Sequence, residues 1–264
     1  MHPSLIDIGA NLTHDSFDDD REEVIARARA AGVDMFILTG SSEAGSRQAL
    51  ELAQTQPDIY RSTAGVHPHH ASEYDDGVDA TLRELLQDPL VCSVGECGLD
   101  YFRNFSPADR QKDAFERQLT IAADVGKPVF LHQRDAHDDF LAILAPFSDR
   151  ITAGVAHCFT GTGAMLDAYL DMGLYIGITG WICDERRGAH LKEIVGRIPK
   201  DRLMIETDAP YLLPRTLRPK PKSRRNEPVH LVEVLRVVAE ARGESETELA
   251  ELTTANARRF FAID

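Results

Sequence analysis

Short apolar runs alternate along the chain with longer stretches whose apolar residues recur at helical spacing. The run PVFLHQR, residues 128–134, is too short for an ordinary helix and suits a parallel strand buried on both faces. It delivers His132, with Arg134 two residues on. VCSVGE does the same for Glu96, AGVAH for His157, and RLMIETD for Glu206 and Asp208. Strands are predicted over residues 4–8, 33–38, 59–65, 90–95, 128–134, 151–156, 174–178 and 203–205. Helices are predicted over 18–31, 43–54, 78–87, 108–125, 136–144, 163–172, 189–198, 228–242 and 245–261. The helix over 108–125 carries Ala114, Phe115, Leu119, Ala122 and Val125 as the stripe that should cover the sheet.

Eight strands alternating with helices in 264 residues favour a closed (β/α)8 TIM barrel over an open doubly wound sheet. No GxGxxG opens the first strand–loop–helix unit, and GxxxxGK[ST] is absent. The alternation leaves no place for a linker, so one domain over residues 1–264 is expected. In such folds chemistry gathers at the carboxyl ends of the strands.

Glu96, His132, His157 and Asp208 are 36, 25 and 51 residues apart, the spacing of βα units rather than of helix turns. Imidazole and carboxylate donors at four strand ends are the ligand set of a divalent metal centre on a barrel. The set suits Mg2+, Mn2+ or Zn2+, and its oxygen content favours the first two. Asp208 precedes Ala209 and Pro210 at a strand terminus, where it could ligate a metal, take a proton from water, or do both. Glu206 reads either as a partner of a ligand or as a buried acid paired with an arginine. His67 and His69 share the turn GVHPHH and could ligate a second metal, contact a phosphate, or cap the strand. Asp100 and Asn104 follow Glu96 on a long loop and are candidate substrate or second-metal contacts. His2, His14, His137, His190 and His230 read as surface or helix positions.

Composition changes the picture in three ways. A formal net charge of -14 argues against broad, sequence-blind binding of polyanions, while leaving room for a local basic groove. Residues 215–225, RTLRPKPKSRR, supply one: six basic residues, Arg224 and Arg225 among them, and no acid. Arg134 adds a cation beside His132, and Tyr101, Phe102, Phe105, Trp181 and Tyr211 could stack on bases or pack in the core. Cys92, Cys97, Cys158 and Cys183 form no CxxC pair and read as reduced and buried. No signal peptide and no membrane span are expected.

The segments GVHPH, GECGLDY, PVFLHQRDAHDDF, AHCFTG, GITGW, ERRG and LMIETDAPYLLP, followed by KPKSRRNEP, closely resemble the TatD family of metal-dependent deoxyribonucleases, among the amidohydrolase-like barrels. The resemblance runs over essentially the whole chain and is tightest with the bacterial branch. It implies a cytoplasmic, monomeric, Mg2+-dependent 3'-5' exonuclease acting on single-stranded DNA or RNA ends, with a role in DNA repair. It assigns Glu96, His132, His157 and Asp208 as metal ligands; on the reading taken here, Asp208 and Glu96 are the expected catalytic residues. Much of the wider family carries two histidines after the first-strand aspartate; here Gly9 and Asn11 stand in those places after Asp7. That leaves room for one tightly held ion, a second joining with substrate phosphate. Two rivals remain: an amidohydrolase acting on a small cyclic amide or lactone, and a non-catalytic nucleic-acid-binding barrel.

Overall fold

A computed structural model describes residues 4–263. His2, read above as a surface position, lies outside the described residues. The strands are β1 (Leu5–Ala10), β2 (Val33–Leu38), β3 (Tyr60–Ala64), β4 (Val91–Asp100), β5 (Val129–Arg134), β6 (Gly154–Ala156), β7 (Tyr175–Ile178) and β8 (Leu203–Ile205). The helices are α1 (Arg21–Ala30), α2 (Glu43–Thr55), α3 (Asp76–Leu85), α4 (Ala108–Val125), α5 (His137–Leu144), α6 (Gly163–Asp171), α7 (Ala189–Ile194), α8 (Leu231–Arg242) and α9 (Glu246–Phe261). The strands form one sheet in the order β1 to β8, the (β/α)8 barrel expected of the alternation.

By chain contacts the molecule divides into two compact units. One runs through Ile37 and resumes over Cys158–Leu170 and from Tyr175 onward; the other is Leu38–His157 with Asp171–Leu174. In the first unit, β7 and β8 pair in parallel. Beyond β8 the backbone returns to β1. Asp208 N–H donates to Gly9 O at 2.8 Å, Asn11 N–H to Ala209 O at 2.8 Å, and Ala10 bridges Ala209. Helix α9 starts at a capping box, Ser245 with Glu248, and its Asn256 amide donates to Leu203 O at 2.8 Å, locking it to β8.

In the second unit β3, β4, β5 and β6 are parallel neighbours. Their buried residues, Val91, Val94, Val129, Phe130, Leu131 and Val155 among them, make the continuous apolar runs that a sheet covered on both faces requires. Helix α4 lies over β4 and ends at Gly126, whose φ of 68° suits a left-handed cap. Its stripe is apolar as expected at Ala114, Phe115, Leu119 and Ala122, but it also buries Gln111 and Gln118, whereas Val125 is only half-buried.

Strand β4 extends well beyond the predicted residues 90–95. Pairing with β5 joins Gly95 to Phe130, then Cys97 to Leu131 and Gly98 to His132, so Glu96 is the extra residue of a bulge. Gly95 and Gly98 have φ of 132° and 144°. A Cβ on Gly98 would stand 1.9 Å from His132 O, and one on Gly95 would stand 2.3 Å from Phe130 O. Glycine at both places lets β4 press against β5 through the bulge. A glycine-rich stretch that reads as the opening of a loop is therefore strand.

Candidate metal centre

Three strands and one turn of the second unit bring four imidazoles and two carboxylates together. The bulge places the Glu96 carboxylate in a buried position among them. His132 Nδ1 lies 2.8 Å from Glu96 Oε1, while His67 Nε2 and His157 Nε2 each lie 3.4 Å from the same oxygen. The donor atoms of His67, Glu96 and His132 fall within 4.8 Å of one another. Asp100, at the end of β4, accepts a hydrogen bond with His69 Nε2 at 2.8 Å, and its Oδ2 stands 3.6 Å from His132 Nε2.

Backbone hydrogen bonds hold these groups in place. Glu96 N–H donates to Gly40 O at 2.7 Å, His67 N–H to Ser41 O at 2.9 Å, and His157 N–H to Leu131 O at 2.9 Å. The two buried glutamines of α4 brace the loops. Gln118 accepts from Val66 N–H at 2.7 Å and donates to Val66 O at 3.0 Å, next to His67. Gln111 accepts from Asp100 N–H at 2.8 Å and donates to Asp100 O at 3.1 Å and Ser106 O at 2.8 Å. Sequence reading missed both residues. Their signal was two glutamines seven residues apart within an otherwise apolar helical stripe.

The electrostatics of the cluster call for positive charge. Burial pushes the Glu96 carboxyl up, but His67, His157 and the His132 hydrogen bond outweigh it and hold it well below the usual range. Burial also raises Asp100, and the nearby His132 imidazole, with hydrogen bonds from His69 and Arg103 N–H, more than reverses that. Burial keeps His67 neutral, well below the ordinary histidine value. For His132 burial acts downward, yet Asp100 and Glu96 together raise it. Two ionised carboxylates thus share a pocket with imidazoles that cannot all be protonated. His132 Nε2 is buried and has no hydrogen-bond partner. An orphaned imidazole nitrogen beside a carboxylate-rich cluster fits a divalent cation, and the mixed nitrogen and oxygen donors fit one too.

The other candidates lie as follows. Asp208, just past β8, belongs to the first unit, where Asn11 Nδ2 donates to its Oδ1 at 3.0 Å. Asn11, in a place where the wider family has a histidine, thus presents a donor to Asp208 instead of a ligand atom. Glu206 is buried and accepts from Cys158 N–H at 2.6 Å. Asn104 sits at φ 52° on the loop after β4, its Oδ1 3.5 Å from Gln111 Nε2. The Arg134 guanidinium lies 4.3 Å over the Phe102 ring. Arg225 is already engaged, with Asp20 at 2.6 Å and Glu227 at 3.0 Å, and it covers the Phe17 ring. It anchors the basic segment, and Arg224 beside it is exposed. The cysteines are free; Cys92, Cys97 and Cys183 are buried as expected, whereas Cys158 is half-buried.

A sequence profile for TatD related DNases matches residues 6–262. The chain belongs to the TatD family. It is 52% identical over 259 residues, covering 98% of this chain and all of the relative, to the 3'-5' ssDNA/RNA exonuclease TatD of Pectobacterium atrosepticum. It is 54% identical over the same coverage to the protein so named in Erwinia tasmaniensis. Among solved structures, a hydrolase TatD family protein from Entamoeba histolytica superposes with a TM-score of 0.90 at 26% identity, each chain covered in full. A TatD homologue from Escherichia coli gives 0.90 at 27%, again over both whole chains. Family and donor cluster together make the TatD-family chain a metal-dependent hydrolase, and its cofactor a divalent metal ion. Among the described residues no helix is long and apolar enough to cross a membrane.

Proposed function

We propose that the protein is a Mg2+-dependent 3'-5' exonuclease that hydrolyses phosphodiester bonds at single-stranded DNA or RNA ends. The observation that carries the reading is the meeting of His67, His132 and His157 on one oxygen of Glu96, in a chain half identical to proteins bearing that name. We place the protein in the cytoplasm, as a monomer and a single domain, with a part in DNA repair. The family profile running unbroken through both units supports the single domain.

Glu96, His132 and His157 would hold the ion, with Asp208 as the fourth ligand and His67 beside them. A divalent cation there supplies charge against the non-bridging phosphate oxygens and makes water a better nucleophile at neutral pH. Asp208 accepts the proton that the attacking water loses, while Glu96 fixes the three imidazoles about itself. As the new bond from water to phosphorus forms, the bond to the leaving sugar oxygen breaks; that oxygen takes a proton from solvent, to which Asp208 returns the one it accepted. His69 and Asp100 orient His132. Arg134, Asn104 and Arg224 contact the backbone phosphates, and Arg225 holds Arg224 in place.

The test is a 5'-labelled single-stranded oligonucleotide incubated with Mg2+, Mn2+ or Zn2+, with and without chelator. Stepwise shortening from the 3' end, strongest with Mg2+ and abolished by chelation, is the expected result. Intact strands together with opening of a cyclic amide would favour an amidohydrolase and overturn the proposal.

A further inference from the structure

Among the described residues only three large apolar side chains are strongly exposed: Phe102, Phe105 and Tyr211. Two of them, at 55% and 68% exposure, stand three residues apart on the loop that follows β4. That loop is not a loose one. Gln111, fully buried, bonds both Asp100 and the Ser106 carbonyl, while Asp100 Oδ1 accepts from Arg103 N–H at 2.8 Å. Ser106 Oγ donates to His69 O at 2.9 Å and accepts from Ser72 N–H at 3.0 Å. Buried polar groups thus hold two phenyl rings out in water, an arrangement that wastes apolar surface unless something covers it.

The rings are continuous with the metal centre. The His132 and His67 ring centroids are 4.4 Å apart, those of His67 and His69 4.2 Å, and those of His69 and Phe105 4.7 Å. A row of four rings therefore leads from the donor cluster to exposed Phe105. Phe102 is faced by two cations, Arg134 at 4.3 Å and Arg103 at 5.6 Å. Local cations with aromatic faces, in a protein of net charge -14, match a strand that carries both phosphates and flat bases. Two rings fall far short of the roughly 1,000 Å² that a stable protein interface requires.

We infer that Phe102 and Phe105 form a stacking shelf for the unpaired bases nearest the strand end, with Arg103 and Arg134 over the adjoining phosphates. The inference rests on the exonuclease reading and adds to it how the strand is gripped without regard to base identity. A base inside a duplex is already stacked on its neighbours, so the shelf selects unpaired ends.

The test compares the wild type with the Phe102→Ala/Phe105→Ala double variant on a 5'-labelled oligo-dT. A second strand has its last 3' nucleotides replaced by abasic residues. Binding is followed by fluorescence anisotropy and cleavage by kcat and KM. Thermal melting checks that the variant is folded, and Phe102→Tyr/Phe105→Tyr serves as the conservative control. The double variant should raise Kd and KM for oligo-dT about ten-fold or more, with kcat within a few-fold, and the tyrosine variant should stay near wild type. Wild type should lose a similar factor on the abasic strand, where the double variant loses nothing further. A change of less than two-fold on oligo-dT, or an equal loss on both strands, overturns the shelf even if the exonuclease stands. Intact strands that still bind through the two phenylalanines would keep the shelf and overturn the exonuclease. Neither cleavage nor binding overturns both.

Discussion

At the scale of single residues, the site is governed by buried acids in contrasting surroundings. Glu96 is surrounded by imidazoles and stays ionised, so its oxygen is available to a cation. Replacing it by glutamine removes the charge and keeps the volume. Glu96→Gln should cost more than about a hundred-fold in kcat and abolish metal uptake in a calorimetric titration, with the fold intact. Asp7 shows the opposite case. Burial pushes its carboxyl up to about 7, although Thr207 and Gly9 hydrogen-bond to it, with Glu206 adding a further rise. Between its unfolded value of 3.8 and about 7 the folded protein keeps a proton that the unfolded chain releases. Stability contributed by Asp7 is therefore full below the lower value and is lost as pH rises through the upper one. The total is at most roughly 4 kcal/mol. Wild type should melt higher near pH 5 than near pH 8, and Asp7→Asn should flatten that difference. Equal slopes in the two proteins would refute the role given to Asp7. Glu96, His132 and His157 were legible in the sequence because each ends an apolar run. Asp7 lies inside the first run instead of at its end, and a burial-driven shift depends on what packs around it, which no run of letters displays.

At the scale of elements, the site depends on how β4 is shaped. The sequence announces a strand up to Gly95 and then a glycine-rich break, because isolated glycines usually mark loops. What a linear reading lacks is the neighbour. Gly98 is needed because His132 O occupies the space of its Cβ, and that contact comes from a strand more than thirty residues away. Gly98→Ala should force β4 and β5 apart, lowering stability by about 3 kcal/mol or more and taking metal binding with it. Denaturant unfolding and metal titration together check this; a folded variant with normal affinity would sink it. Helix α4 carries the complementary lesson. Its period was plain from its apolar residues, yet the same face buries Gln111 and Gln118, which a hydrophobic pattern counts only as interruptions. Gln111→Leu leaves Asp100 N–H, Asp100 O and Ser106 O without their partner, at a cost of roughly 1–3 kcal/mol for each buried group. Amide exchange should accelerate over residues 100–106, and unchanged protection there would show that the brace is dispensable.

At the scale of the whole molecule, the alternation of strands and helices was enough to arrive at a barrel, because period and length leave few other ways to cover eight buried strands. It was also enough to place chemistry at strand ends, since the fold itself decides where side chains of successive strands emerge. How the ends are held was not legible, because His67, Glu96, His132 and His157 answer to distances that arise only when β3, β4, β5 and β6 lie side by side. That arrangement makes the ion part of the stability of the fold. Two ionised carboxylates and an orphaned imidazole nitrogen are costly without a cation, and a ligand that binds only the folded chain stabilises it by mass action. At a hundred times its dissociation constant the ion contributes about 2.7 kcal/mol. For a chain of this size that corresponds to a Tm shift of roughly 5–10 °C. Chelator should therefore lower Tm by that amount, and Mg2+ should restore it. Glu96→Gln should melt at the same temperature in either buffer. A wild-type Tm indifferent to both additions would mean that the cluster is held by its own hydrogen bonds and that no ion belongs there.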